Sequence, residues 1–265
     1  MSQLPSAVSV RESGTGTPLV LLHAFPLNAS MWSTQLDALP GLTGDEVRVL
    51  APDQRGFGGT ELGSDEPSLD PVADDLALLL DAAGIDRAVV GGLSMGGYVA
   101  LAFARRHPDR LAGLLLANTR ATADTDAARA NRERIAAAVT ARNSVQLLLE
   151  ENVAAGQLGP DSQHLVERVQ SMVAAAPPAS VAWAQRAMAA RPDALEVLAG
   201  LRVPLSVVAG AQDALVAPDE AERMLQARPD AELTVVPGVG HLSALEAPGA
   251  FDAAVRRLLA RVAAG

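Results

Sequence analysis

The sequence predicts an α/β protein: a doubly wound, mostly parallel sheet of about seven or eight strands, with a block of helices inserted late in the chain. Three observations predict it. Short β-branched or leucine-rich runs alternate with longer stretches of helical periodicity. One such run, Ala88-Val89-Val90, breaks at glycines around a serine, Gly92-Leu93-Ser94-Met95-Gly96, and resumes as a helix. From Ala121 to Pro192 the alternation stops, and helical stripes follow one another without a strand. The 265 residues suffice for a large core. They divide into a core of residues 1–120 and 193–265 and a helical cap of residues 121–192.

The strands expected in order are Ala7 to Glu12, Leu19 to His23, Val47 to Ala51, Ala88 to Gly92, Gly113 to Ala117, Leu205 to Ala209 and Leu233 to Val236. Most are nearly all apolar, as strands covered on both faces should be. Helices fit between them at Met31 to Leu39, Asp70 to Ala83, Gly97 to Arg106 and Pro218 to Gln226, and a last one runs from Gly249 to Val262. In the cap, Ile135, Ala138 and Val139 share one face, and Leu165, Val169, Met172, Val173 and Ala176 form a second stripe. Ser144 and Ser162 are candidate N-caps; Pro177-Pro178 and Arg191-Pro192 are breakers.

Composition narrows the chemistry. A net charge of −10 disfavours a nucleic-acid or anionic-membrane partner. No run is long and apolar enough for a membrane span, and the N-terminus lacks the basic and apolar regions of a secretory signal, which points to the cytoplasm. There is no cysteine, and all 21 basic residues are arginine, so thiol nucleophiles, disulfides and lysine Schiff bases are excluded.

Ser94 is the candidate nucleophile. A serine at the tip of a sharp strand-to-helix turn is strained, and Gly92 and Gly96 lack the Cβ atoms that would block it. The helix start also leaves free backbone N–H groups for developing negative charge. The hydroxyl needs a base, and there are four histidines. His107 ends the helix after the turn, and His164 opens a cap helix as a solvated residue. His241 instead follows a strand, in Pro237-Gly238-Val239-Gly240-His241, and loops at the carboxyl ends of such strands meet over one crevice. The acid expected to orient it is Asp213, just past the strand Leu205 to Ala209; Asp219 is the runner-up, at a helix start.

With these residues the chain resembles the α/β-hydrolase superfamily, in its capped esterase and lactonase branch, over essentially its whole length. His23-Ala24-Phe25-Pro26 looks like the H-G-x-P oxyanion loop, and Asp53-Gln54-Arg55-Gly56-Phe57-Gly58 like the D-x-R-G-x-G loop. Gly210-Ala211-Gln212-Asp213 looks like the acid turn, and Gly238-Val239-Gly240-His241 like the base loop. The resemblance implies the α/β-hydrolase fold, an oxyanion hole from the backbone N–H groups of Phe25 and Met95, and a bracing role for His23. Two departures stand out. Ala24 replaces the usual glycine and adds a Cβ beside the hole, and one N-terminal strand where many relatives have a hairpin implies seven strands instead of eight.

The expected activity is acyl transfer to water on a small carboxylic ester or lactone, without cofactor or metal. Haloalkane dehalogenases and epoxide hydrolases of this fold use an aspartate at the elbow, so Ser94 argues against both. Perhydrolase activity, hydroxynitrile lysis and a slow-turnover ligand sensor remain open. Leu114-Leu115-Leu116-Ala117-Asn118-Thr119, with Asn131-Arg132-Glu133-Arg134-Ile135 in the cap, is similar to 3-oxoadipate enol-lactonases. That similarity leaves two readings of Arg120, an anchor for a substrate carboxylate or a solvated arginine at the hinge. Phe25, Leu27, Met95, Leu148, Trp183 and Met188 are the residues expected to line a modest apolar pocket.

Overall fold

The computed structural model describes residues 8–41 and 46–265. Strands β1 (Val10–Ser13), β2 (Thr17–Leu22), β3 (Val47–Pro52), β4 (Ala88–Leu93), β5 (Leu111–Ala117), β6 (Leu205–Gly210) and β7 (Glu232–Val236) form one sheet in the order β1-β3-β2-β4-β5-β6-β7. All neighbours pair in parallel except β1, which runs antiparallel to β3 at the edge. The seven expected runs are the seven strands, each within a few residues of its expected ends; Ala7 lies outside the described residues. β2 and β4 are central, and β4 is buried along its full length, which is why its sequence is continuously apolar.

Order in the sheet reverses at β2 and β4, so the chain crosses from one side to the other there. A crevice opens beyond the carboxyl ends of strands at such a switch point. The loops after β2, β4, β5, β6 and β7 all start at that edge.

On the flanks, a 3₁₀ turn (Ala29–Trp32), entered through an Asn28 side-chain cap, runs into α1 (Ser33–Ala38). The expected helix thus begins two residues early, because Asn28 accepts from Ser30 N–H at 2.9 Å. α2 (Asp70–Ala82) follows β3, and α3 (Met95–Arg106) starts directly after Ser94. Between β5 and β6 come α4 (Asp126–Arg142), α5 (Gln146–Glu150), α6 (Val153–Gly156), α7 (Val166–Ala174), α8 (Pro178–Ala190) and α9 (Leu195–Gly200). α10 (Pro218–Ala227), α11 (Ser243–Glu246) and α12 (Pro248–Ala263) complete the chain.

The inserted helices bury the stripes the sequence marks: Ile135 and Val139 on α4, and Val169, Met172 and Val173 on α7. Their caps differ from expectation. Thr125 caps α4 by accepting from Ala128 N–H at 3.2 Å, and Ser144 accepts from Gln146 N–H at 3.1 Å ahead of α5. Ser162 caps nothing, since it is buried within the 3₁₀ turn Pro160–Leu165 that Gly159-Pro160 starts. The unexpected α9 is heralded by Asp193, which accepts from Leu195 N–H at 2.9 Å. No helix among the described residues is long and apolar enough to cross a membrane.

Candidate active site

Ser94 joins β4 to α3 at φ 56° and ψ −114°, a region that L residues avoid. Neighbouring strands hold it there: its N–H donates to Ala117 O at 2.9 Å, and its carbonyl accepts from the Thr119 hydroxyl at 2.8 Å. The flanking glycines are required by contact. A Cβ on Gly92 would lie 2.1 Å from the Gly96 carbonyl, and one on Gly96 would lie 2.1 Å from Leu22 O. As the first residue of α3, Met95 presents an N–H outside the i→i−4 ladder, at the positive end of the helix dipole.

The loop after β2 is fixed from below. His23 is fully buried, with Nδ1 donating to Ala24 O at 3.0 Å and Nε2 accepting from Gln54 N–H at 2.9 Å. Burial dominates its titration and pushes the imidazole down from 6.5 to about 4, so it stays neutral and braces the loop as expected. Asp53 accepts from Ala29 N–H at 2.8 Å and Gly59 N–H at 2.9 Å, and Gly58 is required because its Cβ would overlap the Asp53 carboxylate at 2.1 Å. Ala24 is fully buried and packs into the core.

His241 and Asp213 come together past β7 and β6. His241 Nδ1 lies 2.8 Å from Asp213 Oδ2 and 3.0 Å from Oδ1, and both side chains are about 4% exposed. Asp213 also accepts from Leu215 and Val216 N–H at 2.9 and 3.1 Å, and from Asn118 Nδ2 at 3.0 Å. Burial opposes its ionisation, but the bond to His241 and that residue's charge, then Asn118 and Leu215 N–H, outweigh burial and hold the carboxyl below its usual range. Asp219 stands apart, on the first turn of α10 beside Arg223. His107 caps α3 and meets Asp74 at 2.8 Å, and His164 is exposed.

Ser94 and His241 line one cavity of about 300 Å³. No hydrogen bond joins them directly; such catalytic contacts are often long in an unliganded site and tighten when substrate binds. Phe25, Leu148 and Met188, three of the residues proposed for the pocket, also line it, and so does Arg120. Leu27 and Trp183 do not. Leu27 follows a tight turn in which its N–H bonds Ala24 O, and its side chain is fully buried in the core. Trp183 lies on the side of α8 away from the cavity-lining Gln185 and Met188, and its indole N–H donates to Asp65 O at 2.8 Å. The Met95 side chain is likewise buried outside the cavity.

Nor is the cavity simply apolar. Asp124, Arg120 and Arg132 reach its wall, and Asp124, almost fully buried, pairs with Arg132 and with Arg191 at 2.8 Å. Burial again works against this carboxylate, yet its two arginines hold it below the usual range. Arg191 in turn stacks 3.9 Å above the Tyr98 ring. Arg120 is partly buried: its Nη2 donates to Leu215 O at 2.6 Å, its Nε is buried without a partner, and no carboxylate pairs with it among the described residues. A second cavity of about 170 Å³ shares Tyr98 and Arg120 as wall residues.

Sequence reasoning missed Asn118. It ends β5 at φ 46°, a conformation asparagine tolerates, and its amide donates to Asp213 and, at 3.0 Å, to Gly240 O of the His241 loop. An asparagine just past a central strand was the available signal.

The family model of the alpha/beta hydrolase fold matches residues 17–248. The chain belongs to that family. Among relatives of this alpha/beta hydrolase, a putative carbamate hydrolase, RutD, from Caulobacter sp. (strain K31) is 31% identical over 259 residues, covering 89% of this chain and 88% of that protein. A thermophilic esterase from Thermogutta terrifontis, solved with malate bound, superposes with a TM-score of 0.90 at 38% identity, over 96% of this chain and 93% of that one. The enol-lactonase from Burkholderia xenovorans LB400 superposes with a TM-score of 0.84 at 26% identity, over 96% of each chain.

Proposed function

We propose that this alpha/beta hydrolase cleaves small carboxylic esters or lactones through an acyl-enzyme on Ser94. The observation that carries the reading is the His241–Asp213 pair, whose imidazole is held at Nδ1 while the residue lines the same cavity as a serine in a strained turn. Nε2 of His241 takes the Ser94 proton as the hydroxyl attacks the carbonyl carbon. Asp213, kept ionised, fixes the imidazole tautomer and stabilises the imidazolium. The backbone N–H groups of Phe25 and Met95 receive the oxyanion. As the tetrahedral intermediate collapses, the alkoxide leaves with the proton from His241, and water, deprotonated by the same nitrogen, then releases the acid and restores the Ser94 hydroxyl.

The inserted helices act as a cap, since residues of α4, α5, α6 and α8 close the cavity above Ser94. A cavity of about 300 Å³ suits short acyl groups and small lactones. Arg120, charged and without a carboxylate partner in that wall, is the anchor for a carboxylate on such a substrate. Carbamate hydrolysis is a second reading, favoured by the 31% identity to the RutD protein over most of both chains, and it uses the same attack on a carbonyl. Turnover of p-nitrophenyl acetate and butyrate tests the reading: steady-state hydrolysis supports an enzyme, while a single stoichiometric acylation without turnover contradicts one.

A further inference from the structure

The loop that carries His241 is held by groups outside Ser94, Asp213 and the imidazole. Glu246 ends α11, just over one helical turn past His241, and its carboxylate folds back over the loop. Oε2 accepts from Gly240 N–H at 3.0 Å and from Gly159 N–H at 2.8 Å, and Oε1 accepts from Leu242 N–H at 2.9 Å. The intervening His241 N–H donates to Gln157 O at 2.9 Å. Three consecutive peptide N–H groups, at 240, 241 and 242, are therefore fixed, the outer two by one carboxylate. Hydrogen bonds to an ionised acceptor are the strong ones, and here they converge on the residues either side of His241.

Gly159 and Gln157 belong to the helical insertion, so the same bonds tie it to the loop. Contact is too close for side chains: a Cβ on Gly240 would lie 2.3 Å from Gly159 N, and one on Gly159 would lie 2.7 Å from Gly238 O. Gln157 also lines the cavity and donates from Nε2 to Phe25 O, on the opposite loop, at 3.1 Å.

We propose that Glu246 is a positioning residue for His241, and that residues 157–159 of the insertion supply the other half of the clamp. This rests on the role given to His241 above. Glu246 touches neither the imidazole ring nor the cavity; it sets where the ring stands by fixing the peptide planes on both sides of it. A displacement of about 1 Å at a reacting group costs about a hundredfold in rate, so a loop held this way matters to kcat more than to binding.

The experiment measures kcat and KM on p-nitrophenyl butyrate for Glu246→Gln, Glu246→Asp, His241→Ala and the double variant Glu246→Gln/His241→Ala. Glu246→Gln replaces one acceptor oxygen with an amide that faces backbone donors, and kcat should fall about 10- to 100-fold with KM changed by less than about twofold. In the His241→Ala background the same substitution should change the residual rate by less than about twofold, because the place of a missing imidazole has no effect. Glu246→Asp keeps the charge one methylene short and should lose less, with the same dependence on His241; it serves if the glutamine variant does not fold. An equal loss with and without His241, or a loss carried by KM, overturns the role of Glu246 while leaving His241 as base. Unchanged turnover in His241→Ala overturns both.

Discussion

His23 predicts how the protein loses stability in mild acid. Its imidazole is wholly buried, and both ring nitrogens are committed, Nδ1 as donor to Ala24 O and Nε2 as acceptor from Gln54 N–H. A proton on Nε2 breaks the second bond and places a charge in the core. Burial lowers the group from 6.5 to about 4, against the weaker opposing pull of Ala24 O and the Asp53 charge. Between those limits the unfolded chain binds a proton that the folded chain refuses, so stability rises with pH. The contribution is intact above about 6.5, declines as pH falls, and reaches its full loss once pH passes about 4. At about 1.4 kcal/mol per pH unit for one proton, the loss comes to about 3 kcal/mol. Urea unfolding of the wild type and of His23→Gln, which keeps an acceptor but does not titrate, should be compared at several pH values from 7.5 to 4. The gap between the two should close by about 3 kcal/mol over that range. Parallel pH dependences would refute the assignment of a buried neutral imidazole.

Asp213→Asn should lower kcat about ten-thousand-fold, the reference magnitude for this change in a serine triad, while Asp219→Asn stays within about twofold; steady-state assays on p-nitrophenyl butyrate decide, and the reverse pattern moves the acid to Asp219. Arg120→Ala should raise KM for carboxylate-bearing lactones at least about tenfold with little effect on neutral esters, because a charge-assisted hydrogen bond is worth about 1.5–3 kcal/mol; equal effects on both classes remove the anchor. Activity should decline as acyl chains lengthen, and Tyr98→Ala, which opens the wall between the two cavities, should move the limit to longer chains where Tyr98→Phe does not. An unchanged chain-length profile contradicts that boundary.

What the sequence makes legible follows from how local each signal is. The strands of this sheet are short, apolar and bounded by breakers, and Gly92 and Gly96 mark the turn at Ser94 because only glycine avoids Gly96 O and Leu22 O there. Asp213 and His241 are recognisable by standing just past strand ends, where topology alone brings loops together. Groups that act through long-range bonds leave fainter traces. Asn118 shares only its place past a strand end with Asp213 and His241, and Gln157 and Glu246 are ordinary polar residues until the β7 loop and the insertion meet. Nor does helical periodicity say which side of α8 faces the cavity, where Met188 lines the wall and Trp183 turns away. The pocket's polarity is hidden for a related reason: Asp124 and Arg191 lie at opposite ends of the insertion, and only folding brings them within 2.8 Å.

In the proposed reaction Ser94 carries the acyl group. Incubation with a p-nitrophenyl alkylphosphonate, followed by intact-mass measurement and peptide mapping, reads it directly. One adduct per chain is expected, on the peptide containing Ser94, in step with loss of ester hydrolysis, and neither adduct nor turnover in Ser94→Ala. An adduct elsewhere, or a Ser94→Ala protein that keeps more than a few per cent of wild-type turnover, would contradict it.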